Sequence, residues 1–249
     1  MKVRQWWWTA VILCVCVGAV QAEWQRTIVA GDTRLPAPGK VQARLGGGYE
    51  EWDDGHTLFG QLQVGYGISE RWAAYVAPSF VSWDVDDGDS ESGLGDTGLG
   101  TVYRFLDEAD SGFDLALHGA VGLPTGDDDK CLGTGSVEPE LNLLVSKTLG
   151  PVVAVANAGG YLILDADRGE EDFVLQGALE GLYPLGEKWS LNAALSAETA
   201  RADGEAVHVD LTVGARFAPN PQLLFTAGVL YCLADVVDWG AYFSAGYEF

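Results

Sequence analysis

From residue 41 to the last residue, apolar and polar side chains alternate at period two in one segment after another. A strand with two unlike faces has this spacing, because successive side chains on an extended backbone point to opposite sides. Phe113, Leu115, Leu117, Gly119, Val121 and Leu123 fall on one face, and Asp114, Ala116, His118, Ala120 and Gly122 on the other. Val207, Val209, Leu211, Val213, Ala215 and Phe217 oppose His208, Asp210, Thr212, Gly214 and Arg216 in the same way. About twelve such segments of roughly 10–13 residues can be marked, close to the length of tilted strands that cross a bilayer. They lie near 40–50, 57–68, 72–83, 93–106, 113–123, 136–147, 151–164, 173–183, 189–199, 206–217, 222–234 and 239–249.

The connections alternate in kind. Residues 69–71, 106–111, 148–150, 184–187 and 218–221 are short turns; 51–56, 84–92, 124–135, 165–172, 200–205 and 235–238 are acidic, Gly-rich loops. A β-sandwich also alternates, but its strands run to about 5–6 residues. A periplasmic lipocalin-like barrel would turn the apolar face inward. The C-terminus separates these readings: Trp239, Ala241, Phe243, Ala245, Tyr247 and Phe249 alternate up to a terminal phenylalanine. Trp72, Tyr183, Trp189 and Trp239, with Tyr247 and Phe249, sit at segment ends, where an interfacial aromatic girdle would lie. The expected fold is therefore all-β: a transmembrane antiparallel β-barrel of about 12 strands over residues 39–249, in a bacterial outer membrane. An even strand number puts both termini and the short turns on the periplasmic side, and the acidic loops outside. Its surroundings would be outer-membrane lipid and lipopolysaccharide, and its amphipathic last strand would be read by the barrel-assembly machinery.

The N-terminus has a different grammar. Lys2 and Arg4 precede an apolar run over residues 6–20, and Val20-Gln21-Ala22 supplies a small-residue cleavage site. Residues 1–22 read as a cleaved signal peptide, shorter than the about 20 apolar residues of a spanning helix. Residues 23–38 follow as a short periplasmic segment, too brief for a plug domain. Cleavage removes Lys2 and Arg4, leaving 12 Lys+Arg against 36 Asp+Glu and a net charge near −24. Such a surface excludes nucleic acid as a partner, since phosphate contacts need positive charge. Cys14 and Cys16 leave with the signal. Cys131 and Cys232 remain, too few for a disulfide scaffold.

If the apolar face meets lipid, the other face lines a lumen. That wall comprises Arg44, Gln61, Gln63, Asp96, Arg104, Asp114, His118, Glu138, Glu140, Asn142, Asn157, Gln176, Glu180, Asn192, Glu198, His208, Asp210 and Arg216. Acidic groups outnumber basic ones, so a water-filled pore would favour cations. The competing reading pairs Asp96 or Glu138 with Arg104 across neighbouring strands, as side chains fill small barrels. The Gly- and Ala-rich segments 93–104 and 151–164 suit the tight coiling that closure of a small barrel requires. In the third outer loop, Pro124 ends the ladder, Asp127, Asp128 and Asp129 keep the tip wet, and Cys131 is placed to lid the pore. A disulfide from Cys131 to Cys232 would tether that lid; two thiols are the alternative.

Chemistry finds little support. His56, near Asp53 and Asp54, is the best enzymatic candidate, and it lacks a nucleophile partner set. There is no G-x-S-x-G motif. Asp84 to Glu91 offers oxygen ligands without the EF-hand order. No catalytic residue, no cofactor and no metal site is expected.

Four stretches together resemble one family: "GLGDTGLGTVYRFLDE" (93–108), "LHGAVGLPTGD" (117–127), "LGTGSVEPELNLLVSKTLG" (132–150) and "ANAGGYLI" (156–163). It is the outer-membrane family named after the meta-cleavage pathway of phenol degradation, whose members are often labelled transporters. The resemblance implies a barrel that passes small, often hydrophobic or aromatic molecules passively across the outer membrane. A non-conducting structural or surface-interaction barrel with acidic loops is the alternative.

Overall fold

In the computed structural model the alternation becomes twelve antiparallel strands closed into one barrel. The structure describes residues 33–52, 54–85, 88–164, 166, 169–202, 206–234 and 237–249; the signal peptide and Asp53 lie outside them. In chain order the strands are β1 (Val41–Trp52), β2 (Gly55–Ser69), β3 (Trp72–Val85), β4 (Ser90–Leu106), β5 (Asp114–Leu123) and β6 (Glu138–Leu149). They continue as β7 (Val152–Leu162), β8 (Phe173–Pro184), β9 (Trp189–Glu198), β10 (His208–Asn220), β11 (Leu223–Ala234) and β12 (Val237–Glu248). Each strand pairs with its sequence neighbours, and β1 pairs with β12 to close the ring. Closure matters because an unpaired strand edge cannot be satisfied in hydrocarbon.

Burial fixes which face is out. Leu45, Leu62, Leu94, Leu141, Leu179, Leu195, Val229 and Phe243 are exposed, while Gln63, Asp96, His118, Asn142, Glu180 and Asp210 are buried. A water-soluble barrel would show the reverse, so this is an inside-out pattern suited to lipid. Trp72, Tyr183, Trp189, Tyr247 and Phe249 point outward at the turn end, and Trp239 does so near the loop end. Rings also cluster at the turn end, with Trp189 on Phe217 at 4.5 Å and Tyr103 edge-on to Phe105 at 4.9 Å.

Three local departures matter. The acidic loop expected at 51–56 is a tight connection, because β1 runs to Trp52 and β2 begins at Gly55. The 106–111 turn contains one helical turn, Glu108–Ser111, with the Asp107 side chain accepting from the Ala109 amide at 3.0 Å. Gly112 ends it in the left-handed conformation, φ 78°, which only glycine adopts without a Cβ penalty. Pro78 on β3 brings no amide hydrogen to the ladder, and the β3–β4 register shifts between Pro78 and Phe80. The shift leaves Gly95 and Asp96 together opposite Ser79, a bulge of the sort that re-aims a side chain.

The segment before β1 does not stay outside the barrel. Thr33 and Pro36 are fully buried, and Leu35 packs on Tyr75, Ala77, Val102, Ala116 and Leu144 of the inner wall. The Thr33 hydroxyl bonds to Asp114 at 3.2 Å and to Ser146 at 2.8 Å, which draws residues 33–36 into the turn-end mouth.

Candidate functional site

The inner wall is built by the strand period: every second residue of each strand faces the lumen. The wall residues expected from the sequence are all buried or half-buried, and the bonds among them fall into three zones.

At the turn end, Asp114 accepts from Thr33, from Ser146 at 2.9 Å and from the Glu108 amide at 2.8 Å. Arg104 lies at this end too. Its partners are Asp107 at 3.2 Å and the Glu70 carbonyl at 3.0 Å. The pairing considered between Arg104 and Asp96 or Glu138 is therefore not made, because Arg104 lies at the opposite end of β4 from Asp96.

Midway, a polar belt runs round one side of the barrel. Tyr75 Oη and His118 Nε2 are 2.7 Å apart, bridging β3 to β5 across Gly100 of β4. A Cβ on Gly100 would overlap the Tyr75 ring, so this glycine makes room for the contact. Phe59 over Gly48 and Tyr242 over Gly228 repeat the device. Coiling alone does not account for these glycines. His118 Nδ1 lies 3.7 Å from Glu140, which accepts from Asn142 and, at 2.7 Å, from Gln176 two strands away. Asn192 donates to the fully buried Glu180 at 2.7 Å, and nearer the loop end Tyr161 donates to Glu198 at 2.9 Å. Across the barrel, Arg44 donates to Ser244 at 3.1 Å. Apolar clusters interrupt the polar wall: Tyr75 with Ala77, Val102, Ala116 and Leu144, and Val155 with Leu182. Alternation signals two faces but not this mixture.

At the loop end, two acidic wall residues hold two loops. Asp96, aimed inward by its bulge, accepts from the Gly126 amide at 2.9 Å, the Thr134 amide at 2.8 Å and the Thr134 hydroxyl at 2.9 Å. The bulge also leaves the Gly95 carbonyl to accept from Thr125 at 3.1 Å. Leu132 is buried behind them, Trp83 donates to the Lys130 carbonyl at 2.9 Å, and Lys130 reaches Glu91 at 3.5 Å. The loop 124–135 thus folds down onto β3 and β4 while Asp127, Asp128 and Asp129 stay exposed. Glu138 is paired with Arg201, only 2% exposed, which descends from the 200–205 loop and also lies over the Tyr161 ring at 5.8 Å. Arg201, like Tyr75 and Tyr161 on the wall, is not among the residues expected from the sequence. It falls outside every alternating segment, and a lone arginine in an acidic loop reads as solvated.

Cys131 and Cys232 are thiols not joined by a disulfide. Cys131 caps a short 3₁₀ turn in the loop anchored on β3–β4, whereas Cys232 is on β11, well round the barrel. His56 stacks on Tyr49 at 5.4 Å, which is a packing contact. One arrangement has no signature in the residue spacing: His208, Asp210 and Cys232 bring ligand atoms within 4.8 Å of one another on the inner wall.

The chain matches the family model described as "Putative MetA-pathway of phenol degradation" over residues 25–236. None of the curated proteins matches it. Among solved structures, it is similar to the COG4313 outer membrane channel from Pseudomonas putida F1, with TM-score 0.75 and 17% identity over 90% of this chain and 100% of that one. It is also similar to the KdgM porin, with TM-score 0.55 and 10% identity over 84% of this chain and 99% of that one. A third is the translocator domain of the autotransporter NalP from Neisseria meningitidis, with TM-score 0.51 and 14% identity over 84% and 88% of the two chains.

Proposed function

This chain belongs to the family described as the putative MetA-pathway of phenol degradation, and on that premise we propose that it is a passive channel for small molecules in the bacterial outer membrane. The observation that carries the reading is the inside-out barrel: an apolar outer face around a wall of buried carboxylates, amides, hydroxyls and imidazoles. Such a wall offers a polar path through hydrocarbon, and on this reading the protein conducts without chemistry of its own. Turn-end aromatics sit at the periplasmic interface and the anchored loops face outward, among lipopolysaccharide. The apolar clusters around Tyr75 and Val155 beside polar groups suit amphipathic permeants, small aromatic molecules among them. Among charged species, the excess of carboxylates along the wall favours cations.

The competing reading, a non-conducting barrel, has an observation of its own: Asp96, Asp114 and Glu138 are all engaged in structural bonds. Both mouths also carry inserted segments. Refolded protein in planar bilayers under a salt gradient separates the two. Channel events with a cation-selective reversal potential are expected. Silence from wild type, and equally from Asp96→Ala and Arg201→Ala, would sink the channel reading.

A further inference from the structure

We propose that His208, Asp210 and Cys232 form a binding site for a borderline divalent transition metal, zinc above all, on the lumen wall near the loop-end mouth. Alternation puts His208 and Asp210 on one inward face of β10, and Cys232 is the register partner of Asp210 on β11. Asp210 Oδ2 lies 2.8 Å from His208 Nε2, and Cys232 Sγ lies 3.9 Å from His208 Nδ1. A register shift between Val209 and Asp210 inserts an additional residue on β11 beside Cys232. Bulges of this kind turn side chains toward a site.

Independent of the cluster itself, Asp210 is only 7% exposed, yet its Oδ1 has no hydrogen-bond partner among the described residues. A buried carboxylate oxygen left unmatched is costly, and a cation held by its neighbours would satisfy it. Thr212 Oγ1, next along the same face, is likewise buried and unmatched among the described residues.

The donor set indicates which metal. One imidazole nitrogen, one thiolate and one carboxylate match the borderline-soft preference of zinc, whereas calcium and magnesium take oxygen ligands. Zinc bonds of about 2.0–2.3 Å at tetrahedral angles put ligand atoms about 3.3–3.6 Å apart. With one ligand atom taken from each residue, the three lie within 4.8 Å of one another, wider than that range, so side-chain rotation has to draw them together around the ion. On binding, the Cys232 thiol passes its proton to solvent as the sulfur–metal bond forms, and the imidazole binds neutral. Thiolate and carboxylate then balance a charge of two, and a fourth position stays open to water. The site does not depend on conduction, so it stands or falls apart from the channel reading.

The test uses the full mature barrel, refolded in detergent, with Co²⁺ as the spectroscopic probe. One equivalent should bind with a near-ultraviolet sulfur-to-cobalt band that Zn²⁺ displaces. Cys131→Ser should leave the band intact, and Cys232→Ser should abolish it. Asp210→Asn, which keeps the side-chain volume, and His208→Ala should each weaken binding by at least about tenfold. Altered migration on unboiled gels confirms that each variant is folded. No sulfur band in wild type, or binding unchanged in folded Asp210→Asn and Cys232→Ser, would overturn the site.

Discussion

Asp96 and Arg201 reach across sequence to anchor loops at the same mouth, and each is open to a direct test. Asp96 accepts three hydrogen bonds from the 124–135 loop, and bonds to a charged acceptor contribute about 1.5–3 kcal/mol each. Asp96→Ala should loosen that loop while Trp83 still touches it. Trypsin should then cut after Lys130 in the folded barrel faster than in wild type; an unchanged cleavage rate would show that Asp96 does not anchor the loop. Arg201→Ala leaves Glu138 as a buried charge without its guanidinium, a change that costs about 3–5 kcal/mol in comparable pairs. The same substitution adds uncompensated negative charge to the lumen. Its reversal potential under a salt gradient should move further toward that of the cation, and movement toward the anion would contradict the role given to this pair.

Strands were legible to the extent that alternation determines them. Every expected segment became a strand, because period two admits no helix and the turns carry their own punctuation. Misplaced ends have local causes: β1 runs on to Trp52 and β2 begins at Gly55 because Trp52 is buried, its indole reaching Thr57 at 3.4 Å, and acidic composition does not stop a ladder. Inward residues were legible for the same reason, whereas their partners were not. Tyr75 meets His118 only because Gly100 between them is empty, and the Asp96 bulge depends on Pro78 of the neighbouring strand. Such pairings are set by register between strands, which one strand's pattern does not contain. Gly100→Ala should therefore displace the Tyr75 ring and destabilise the barrel by about 1–3 kcal/mol. Gly119→Ala, where a Cβ meets only a Leu141 methyl at 3.9 Å, should be near neutral. Urea midpoints of the two refolded variants provide the comparison, and equal midpoints would refute the role given to Gly100.

At the scale of the molecule, the barrel should migrate differently on gels with and without boiling and should fractionate with outer membranes; recovery in a soluble periplasmic fraction would contradict the fold's placement. Eleven of its twelve seams join strands adjacent in sequence, and one joins β1 to β12. That last seam ends where the Phe249 amide donates to the Val41 carbonyl at 2.8 Å. Hairpins can zip early at small entropic cost, but the closing seam must bring together the two ends of the barrel chain. Until the final residues have left the ribosome and crossed the inner membrane, every intermediate presents two raw strand edges. Until that seam closes, the chain is consequently an aggregation hazard.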